Sequence, residues 1–263
     1  MNNWLELNGR VCVVTGAASG IGAQIALSLA EVGAHVALLD RDIDGAAALA
    51  AQIVAAGGNA RAFACDVSHE TSVLQAAEAV AQTFGVVWGV VNNAGFLRSA
   101  SLQDVTLADW NAVLAVNLTG CLLVGRALAR HMRGGGSVVN VASIAAHFPQ
   151  SHSGAYSASK AGVVQMSRQM AVEWGARGIR SNVICPGLIR TALSAAFYAV
   201  PGVEAKRAAM TASKRVGEPA DIAHTALFLL SPRSSYVNGT EIDVDGGMPA
   251  MLMDMVPRPG YNC

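Results

Sequence analysis

Residues 10–22 read RVCVVTGAASGIG. A short valine-rich run ends at Thr15, and glycines follow at Gly16, Gly20 and Gly22. Continuous apolar runs of this kind mark strands buried on both faces of a parallel sheet. The glycines permit a tight turn and let backbone come close to a ligand. A helix opening directly after the turn offers free N–H groups and a positive dipole end to a pyrophosphate. The spacing is G-x-x-x-G-x-G rather than G-x-G-x-x-G, and no Gly-Lys-Ser/Thr follows to make a mononucleotide loop.

The same strand-then-helix rhythm continues along the chain. Strands are expected over 10–15, 35–39, 60–65, 86–91, 137–141, 180–184 and 241–244. Helical patterns lie between them at 20–32, 43–56, 70–84, 107–132, 155–176 and 219–230. Strict alternation predicts right-handed crossovers and an α/β doubly wound sheet of seven parallel strands with helices on both faces. With no Pro/Ser-rich linker and no internal repeat, one domain over 1–263 is expected. Two stretches break the rhythm. An insertion at about 188–217 is placed to act as a lid, and the tail at about 248–263 is rich in methionine and proline, as if it packs against something.

The bulk numbers narrow the class. The chain has 263 residues, 52% of them hydrophobic and 14% charged, with zero formal net charge. This composition fits a well-buried globular protein and gives no electrostatic handle for nucleic acid or an anionic membrane. The apolar stretches are expected to be broken before they reach membrane-spanning length. Cys12, Cys65, Cys121, Cys185 and Cys263 are odd in number and widely spaced. They read as buried free thiols in a reducing, cytoplasmic setting, with no metal site expected. The N-terminus lacks the basic and apolar regions of a signal peptide.

Chemistry is suggested by SGAYSASKAG at 153–162, where Tyr156 precedes Lys160 by one helical turn. Lysine is otherwise confined to Lys206 and Lys214. Residues four apart share a helix face, so the ammonium can sit beside the phenol. A neighbouring cation favours the phenolate, which suits a proton-transfer catalyst. Asp40 ends the second strand, where a carboxylate accepts from adenosine ribose hydroxyls and repels a 2′-phosphate. NAD is therefore favoured over NADP, although Arg41 next to it could reach such a phosphate.

Together these pieces resemble the short-chain dehydrogenase/reductase family in its single-domain form, over essentially the whole chain. The resemblance is carried by TGAASGIG at 15–22, Asp66-Val67, Asn92-Asn93-Ala94-Gly95, Asn117, Ser143, Tyr156 with Lys160, and Pro186-Gly187 with Thr191. It implies a Rossmann fold and catalysis by Tyr156 as general acid/base. Lys160 would support the tyrosine and hold the nicotinamide ribose. Ser143 would hydrogen-bond the reacting oxygen, and Asn117 would position a water leading to solvent. For the cofactor it points to Gly16, Ser19, Gly20, Ile21 and Gly22 at the phosphates, and to Asp40, with Arg41 beside it, at the ribose. Asp66 and Val67 would meet the adenine. Asn93, Ala94 and Gly95 would line the back of the cofactor, and Pro186, Gly187, Ile189 and Thr191 would hold the nicotinamide end. Asp66 and Thr191 are also helix-capping residue types. Asn92 and Asn93 carry more weight as scaffold.

The substrate side is mostly apolar, with candidate contacts at Ala145, Gln150, Ser153, Leu188 and Leu193. The expected reaction interconverts a small or medium secondary alcohol, cyclic compounds and polyols included, with its ketone. His147, Gln150 and His152 are read first as surface residues, and Arg98 and Arg190 as solvated or interface arginines. By resemblance the chain forms a homotetramer. Two other readings remain: an NADPH-linked carbonyl or 3-oxoacyl-carrier reductase, and a non-catalytic dinucleotide-binding sensor. The second would not be expected to keep Ser143, Tyr156 and Lys160 intact.

Overall fold

The computed structural model describes residues 4–191, 194–257 and 260. Its centre is a parallel sheet of seven strands. They are β1 (Val11–Thr15), β2 (His35–Asp40), β3 (Asn59–Ala64), β4 (Val87–Asn92), β5 (Gly136–Val141), β6 (Ile179–Pro186) and β7 (Glu241–Val244). The order across the sheet is β3-β2-β1-β4-β5-β6-β7. The chain winds outward from β1 in one direction, then crosses back and winds in the other from β4. The crevice at the carboxyl ends of β1 and β4 is therefore the place where an open α/β sheet binds its ligand.

Period-two alternation decides what each face meets. Cys12, Val14, Val36, Leu38, Val139 and Ile184 bury against α1 (Gly20–Glu31), α2 (Ile43–Ala55) and α9 (Pro219–Leu230). Val11, Val13, Ala37, Leu39, Val90 and Val138 turn the other way, toward α3 (Glu70–Phe84) and α5 (Gly120–Ala129). Beside α6 (Tyr156–Trp174), Val163 and Val164 pack on Val183 and Cys185. Cys12, Cys65, Cys121 and Cys185 are free and buried, and burial pushes Cys12 up to about 12 and Cys121 up to about 11. Cys263 lies outside the described residues.

The helix expected over 107–132 is not one regular helix. It consists of α4 (Leu107–Leu114), a π-helical turn at Ala115–Thr119 and α5. Length and composition also correct the membrane expectation. The stretch Leu107–Ala129 is long and apolar enough to cross a bilayer, but half of its apolar window is buried inside the fold. It packs against α3, β4 and α6, as a core helix does. The insertion forms α7 (Ala195–Tyr198) and α8 (Val203–Ala209), and the tail contains a 3-10 segment at Pro249–Met255.

Candidate active site

At the switch point, the end of β1 is tied to the end of β4. The Thr15 hydroxyl accepts from the backbone N–H groups of Asn93 (3.0 Å) and Ala94 (3.1 Å). Asn93 returns the contact, donating through Nδ2 to Thr15 O (3.0 Å) and Gly16 O (3.1 Å). The glycine turn is packed so tightly that side chains cannot enter. A Cβ on Gly22 would stand 2.2 Å from Gly16 O, and one on Gly16 would stand 2.9 Å from Ala94 Cα. Gly16 and Gly20 also have φ of 63° and 58°, which L side chains rarely adopt. Ser19 precedes α1 without closing its first N–H groups through its side chain. The result is a backbone cradle at a helix N-terminus, which suits a pyrophosphate.

Asp40 stands over this turn. Its Oδ2 accepts from Ala18 N at 2.9 Å and its Oδ1 from Asp42 N at 3.0 Å. Both oxygens keep lone-pair capacity for ribose hydroxyls. Arg41 lies exposed beside it. Asp66, after β3, accepts from Ser68 N (2.9 Å) and Ser68 Oγ (2.6 Å). The Ser68 hydroxyl, with smaller help from the Ser68 N–H and His69, holds the Asp66 carboxyl below its usual range. Asp66 thus shapes the turn before α3, while His69 occupies the N-cap position. Val67 is buried against Gly120, where an added Cβ would stand 2.9 Å from Val67 Cγ2.

The proton-transfer candidates meet at the ends of β4 and β5. Tyr156 opens α6, and Lys160 lies one turn on with its Nζ 5.7 Å from the Tyr156 ring centroid. Lys160 is only 4% exposed. Its Nζ donates to Val141 O at 2.8 Å, the last residue of the strand that leads to Ser143. Ser143 has extended backbone, and its Oγ accepts from Ala145 N at 3.1 Å, capping the 3-10 turn Ile144–Ala146. Asn117 sits inside the π-helical turn and is fully buried. A Cβ on Gly95 would lie 3.2 Å from Asn117 Oδ1 and 3.5 Å from Lys160 Nζ, so these three residues converge.

The expected nicotinamide end lies across from the glycine turn. Gly187 N donates to Val244 O at 3.0 Å, and a Cβ at Gly187 would stand 2.6 Å from Asp245 Cβ. Ile189 is buried and bridges to Gly217. Thr191 approaches the glycine turn, since a Cβ on Gly20 would stand 3.6 Å from Thr191 Cβ. Thr191 also meets Ser194, whose Oγ accepts from Thr191 N at 2.9 Å.

The substrate-side candidates are less uniform. Ala145 is buried and Leu188 half-buried, while Gln150 is exposed. Ser153 is buried with its hydroxyl 3.1 Å from Ser157 Oγ, so it reads as a turn residue. Leu193 lies outside the described residues. Arg98 pairs with Asp109, and Arg190 pairs with Glu204 and with Glu218, so both guanidinium groups already have carboxylate partners.

A family profile described as enoyl-(acyl carrier protein) reductase matches residues 16–249. D-threitol dehydrogenase of Mycolicibacterium smegmatis is 43% identical over 244 residues, covering 92% of this chain and 94% of that one. This chain belongs to the short-chain dehydrogenase/reductase family. Galactitol 2-dehydrogenase (L-tagatose-forming) of Cereibacter sphaeroides is 40% identical, with 92% of this chain and 96% of that one covered. Among solved structures, gluconate 5-dehydrogenase from Burkholderia cenocepacia in complex with NADP and tartrate superposes with a TM-score of 0.90. It is 33% identical, over 94% of this chain and 98% of that one. Membership makes this short-chain dehydrogenase/reductase an oxidoreductase that uses a nicotinamide dinucleotide, and the glycine cradle fits such a group.

Sequence reasoning passed over two residues that build this short-chain dehydrogenase/reductase site. Thr15 opens the TGAASGIG stretch without a role of its own there, yet its hydroxyl joins the end of β1 to the segment after β4. Ser159 is fully buried; it accepts from Asn117 Nδ2 at 3.2 Å and donates to Tyr156 O at 2.6 Å. A small hydroxyl residue between Tyr156 and Lys160 was the available signal for the second.

Proposed function

We propose that the protein is an NAD-dependent dehydrogenase interconverting a secondary alcohol and its ketone, with Tyr156 as general acid/base. The observation that carries this reading is the buried Lys160, one helical turn from Tyr156 and anchored to Val141 on the strand leading to Ser143. A lysine held there gives the phenol a fixed, buried cationic neighbour. In the oxidation direction, Tyr156 Oη takes the hydroxyl proton while Ser143 Oγ hydrogen-bonds the same oxygen and holds it in place. NAD, when bound, would supply the acceptor for the hydride that leaves the carbinol carbon. The Asn117 side chain is committed to Phe96 and Ser159, so its main-chain carbonyl, which accepts from Cys121 Sγ at 3.2 Å and keeps a second lone pair, is what it offers to a water on the proton route.

Asp40 supports NAD over NADP because its carboxylate faces the ribose end of the glycine turn. The polyol names among the relatives favour a polyol or related secondary alcohol as substrate. The insertion at 188–217 serves as the lid of a single 1–263 domain, with Thr191 approaching the glycine turn. Exposed Leu122 on α5 and Val172 on α6 support a homotetramer, and the buried free thiols a cytoplasmic setting. The second reading is an NADP-linked enzyme, favoured by exposed Arg41 next to Asp40. Following NADH and NADPH absorbance across a panel of polyols and cyclic secondary alcohols tests both. Turnover with NAD supports the proposal; turnover only with NADP favours the second reading, and none with either cofactor overturns both.

A further inference from the structure

Away from the Tyr156–Lys160 pair, three side chains of different ligand type converge near the edge of the sheet. The donor atoms of His147, Cys185 and Glu241 all lie within 4.8 Å of one another. His147 follows the 3-10 turn that Ser143 caps, Cys185 lies on β6, and Glu241 opens β7. Val183 stands opposite Glu241, and Cys185 opposite Asp243. Residues paired across strands, and residues two apart along one, share a face. Cys185, Glu241 and Asp243 therefore point to the same side of the sheet, the side that α6 covers.

The two oxygens of Glu241 are treated differently. Oε1 accepts from Arg168 at 3.3 Å. Oε2 is shut off from solvent and lies 3.3 Å from His147 Nε2, yet it accepts no hydrogen bond among the described residues. His147 is its ion-pair neighbour only when protonated, and a buried carboxylate oxygen that accepts no hydrogen bond is costly and calls for an explanation. An imidazole nitrogen and a carboxylate oxygen that approach without hydrogen-bond geometry can share a third atom between them. Cys185 supplies another donor beside them.

We propose that His147 Nε2, Cys185 Sγ and Glu241 Oε2 form a binding site for Zn2+. Mixed nitrogen, thiolate and carboxylate donors suit zinc, whereas calcium and magnesium take oxygen ligands. Zinc ligands at ~2.0–2.3 Å from the metal stand about 3.3–3.8 Å apart in a tetrahedron. Small rotations of His147 and Glu241, both partly exposed, bring the set to that spacing. Arg168 keeps Oε1, so Glu241 binds through one oxygen. Asp243 faces the Cys185 thiol from β7 and takes the outer place beside the sulfur. Three protein ligands leave the fourth position to water. On coordination the thiol proton leaves to solvent. The bound ion ties edge strand β7 to the turn after Ser143, whose backbone N–H faces the same sulfur.

The test titrates the metal-free full chain with Co2+, a visible-absorbing stand-in for zinc. The expected result is one equivalent bound per chain, a thiolate-to-cobalt charge-transfer band, a rise in Tm, and displacement by Zn2+. Cys185→Ser removes the band. Because a change at that buried position can disturb folding, His147→Ala and Glu241→Gln are measured as well. Each weakens Co2+ binding by at least the ~10–100-fold that loss of an outer partner costs, with an unchanged circular dichroism spectrum. Absence of saturable Co2+ binding overturns the site. So does a charge-transfer band, or an affinity, that all three substitutions leave in place.

Discussion

Asn117 grips the backbone of Phe96 from both sides. Its Oδ1 accepts from Phe96 N at 3.0 Å, and its Nδ2 donates to Phe96 O at 3.0 Å. The segment after β4 is thereby fixed to the π-helical turn, and Gly95 is brought beside Lys160. Asn117→Ala leaves the partly buried N–H and C=O of Phe96 without their partner. The loss is roughly 2–6 kcal/mol, at ~1–3 kcal/mol for each of the two groups, and lies at the lower end because both are only partly buried. The expected outcome is a Tm lower by several degrees together with reduced kcat, measured by calorimetry and steady-state kinetics. An unchanged Tm would remove the clamp from the account.

Tyr156→Phe removes one hydroxyl and leaves the ring contact with Lys160. General acid/base catalysis contributes about 10²–10⁴-fold. A fall in kcat of that order is expected, with NAD affinity by fluorescence titration changed little. Retention of most of the activity would exclude Tyr156 as the proton carrier.

Asp40→Asn keeps an oxygen for the Ala18 N–H and removes the charge. Arg41 then has no neighbouring carboxylate at that position to oppose a 2′-phosphate. The ratio of kcat/KM for NADP to that for NAD is expected to rise about tenfold or more, as when a like-charge contact is removed. A constant ratio would show that Asp40 does not select the cofactor.

Arg215 grips Asp221 with two hydrogen bonds, Nη1 to Oδ2 at 2.7 Å and Nη2 to Oδ1 at 2.8 Å. Arg215, followed by the Glu218 N–H, lowers the Asp221 carboxyl to about 2. An unfolded aspartate titrates near ~3.9. The folded value is the lower one, so the contribution to stability is present above ~3.9 and is lost as pH falls through about 2. The effect is small because the pair is partly exposed and screened. Urea midpoints of the wild type and Asp221→Asn should differ at neutral pH, draw together as pH falls toward about 2, and converge only below it, where the Asp221 carboxyl is also uncharged. A gap that stays constant with pH would assign the effect to helix geometry instead.

Much of the fold was legible because burial leaves a linear trace. Strands buried on both faces read as apolar runs, as in 86–91, and helices as longer Ala/Leu patterns, so most boundaries agree to within one or two residues. The break at Ala115–Thr119 was not legible. Its residues all tolerate a helix, and the turn is held by Asn117 reaching Phe96, a contact 21 residues away. The pyrophosphate cradle was visible because it is one continuous stretch. The role of the Thr15 hydroxyl was not, because its partners Asn93 and Ala94 follow a different strand, β4, far along the chain.

What the sequence determined by itself is local: the order of strands and helices, the glycine turn at 16–22, and the one-turn spacing of Tyr156 and Lys160. Each depends on residues within a few positions of one another, where backbone geometry relates sequence directly to space. The tertiary structure alone decided which distant side chains share a site. Lys160 points to Val141, Arg190 is taken by Glu204 and Glu218, and His147 meets Cys185 and Glu241. The first and last of those meetings depend on the pairing of β5, β6 and β7 and on how α6 lies across them; the Arg190 pairs depend on how α8 and the start of α9 fold back after β6. The packing of the whole chain sets that arrangement, and no short stretch carries it.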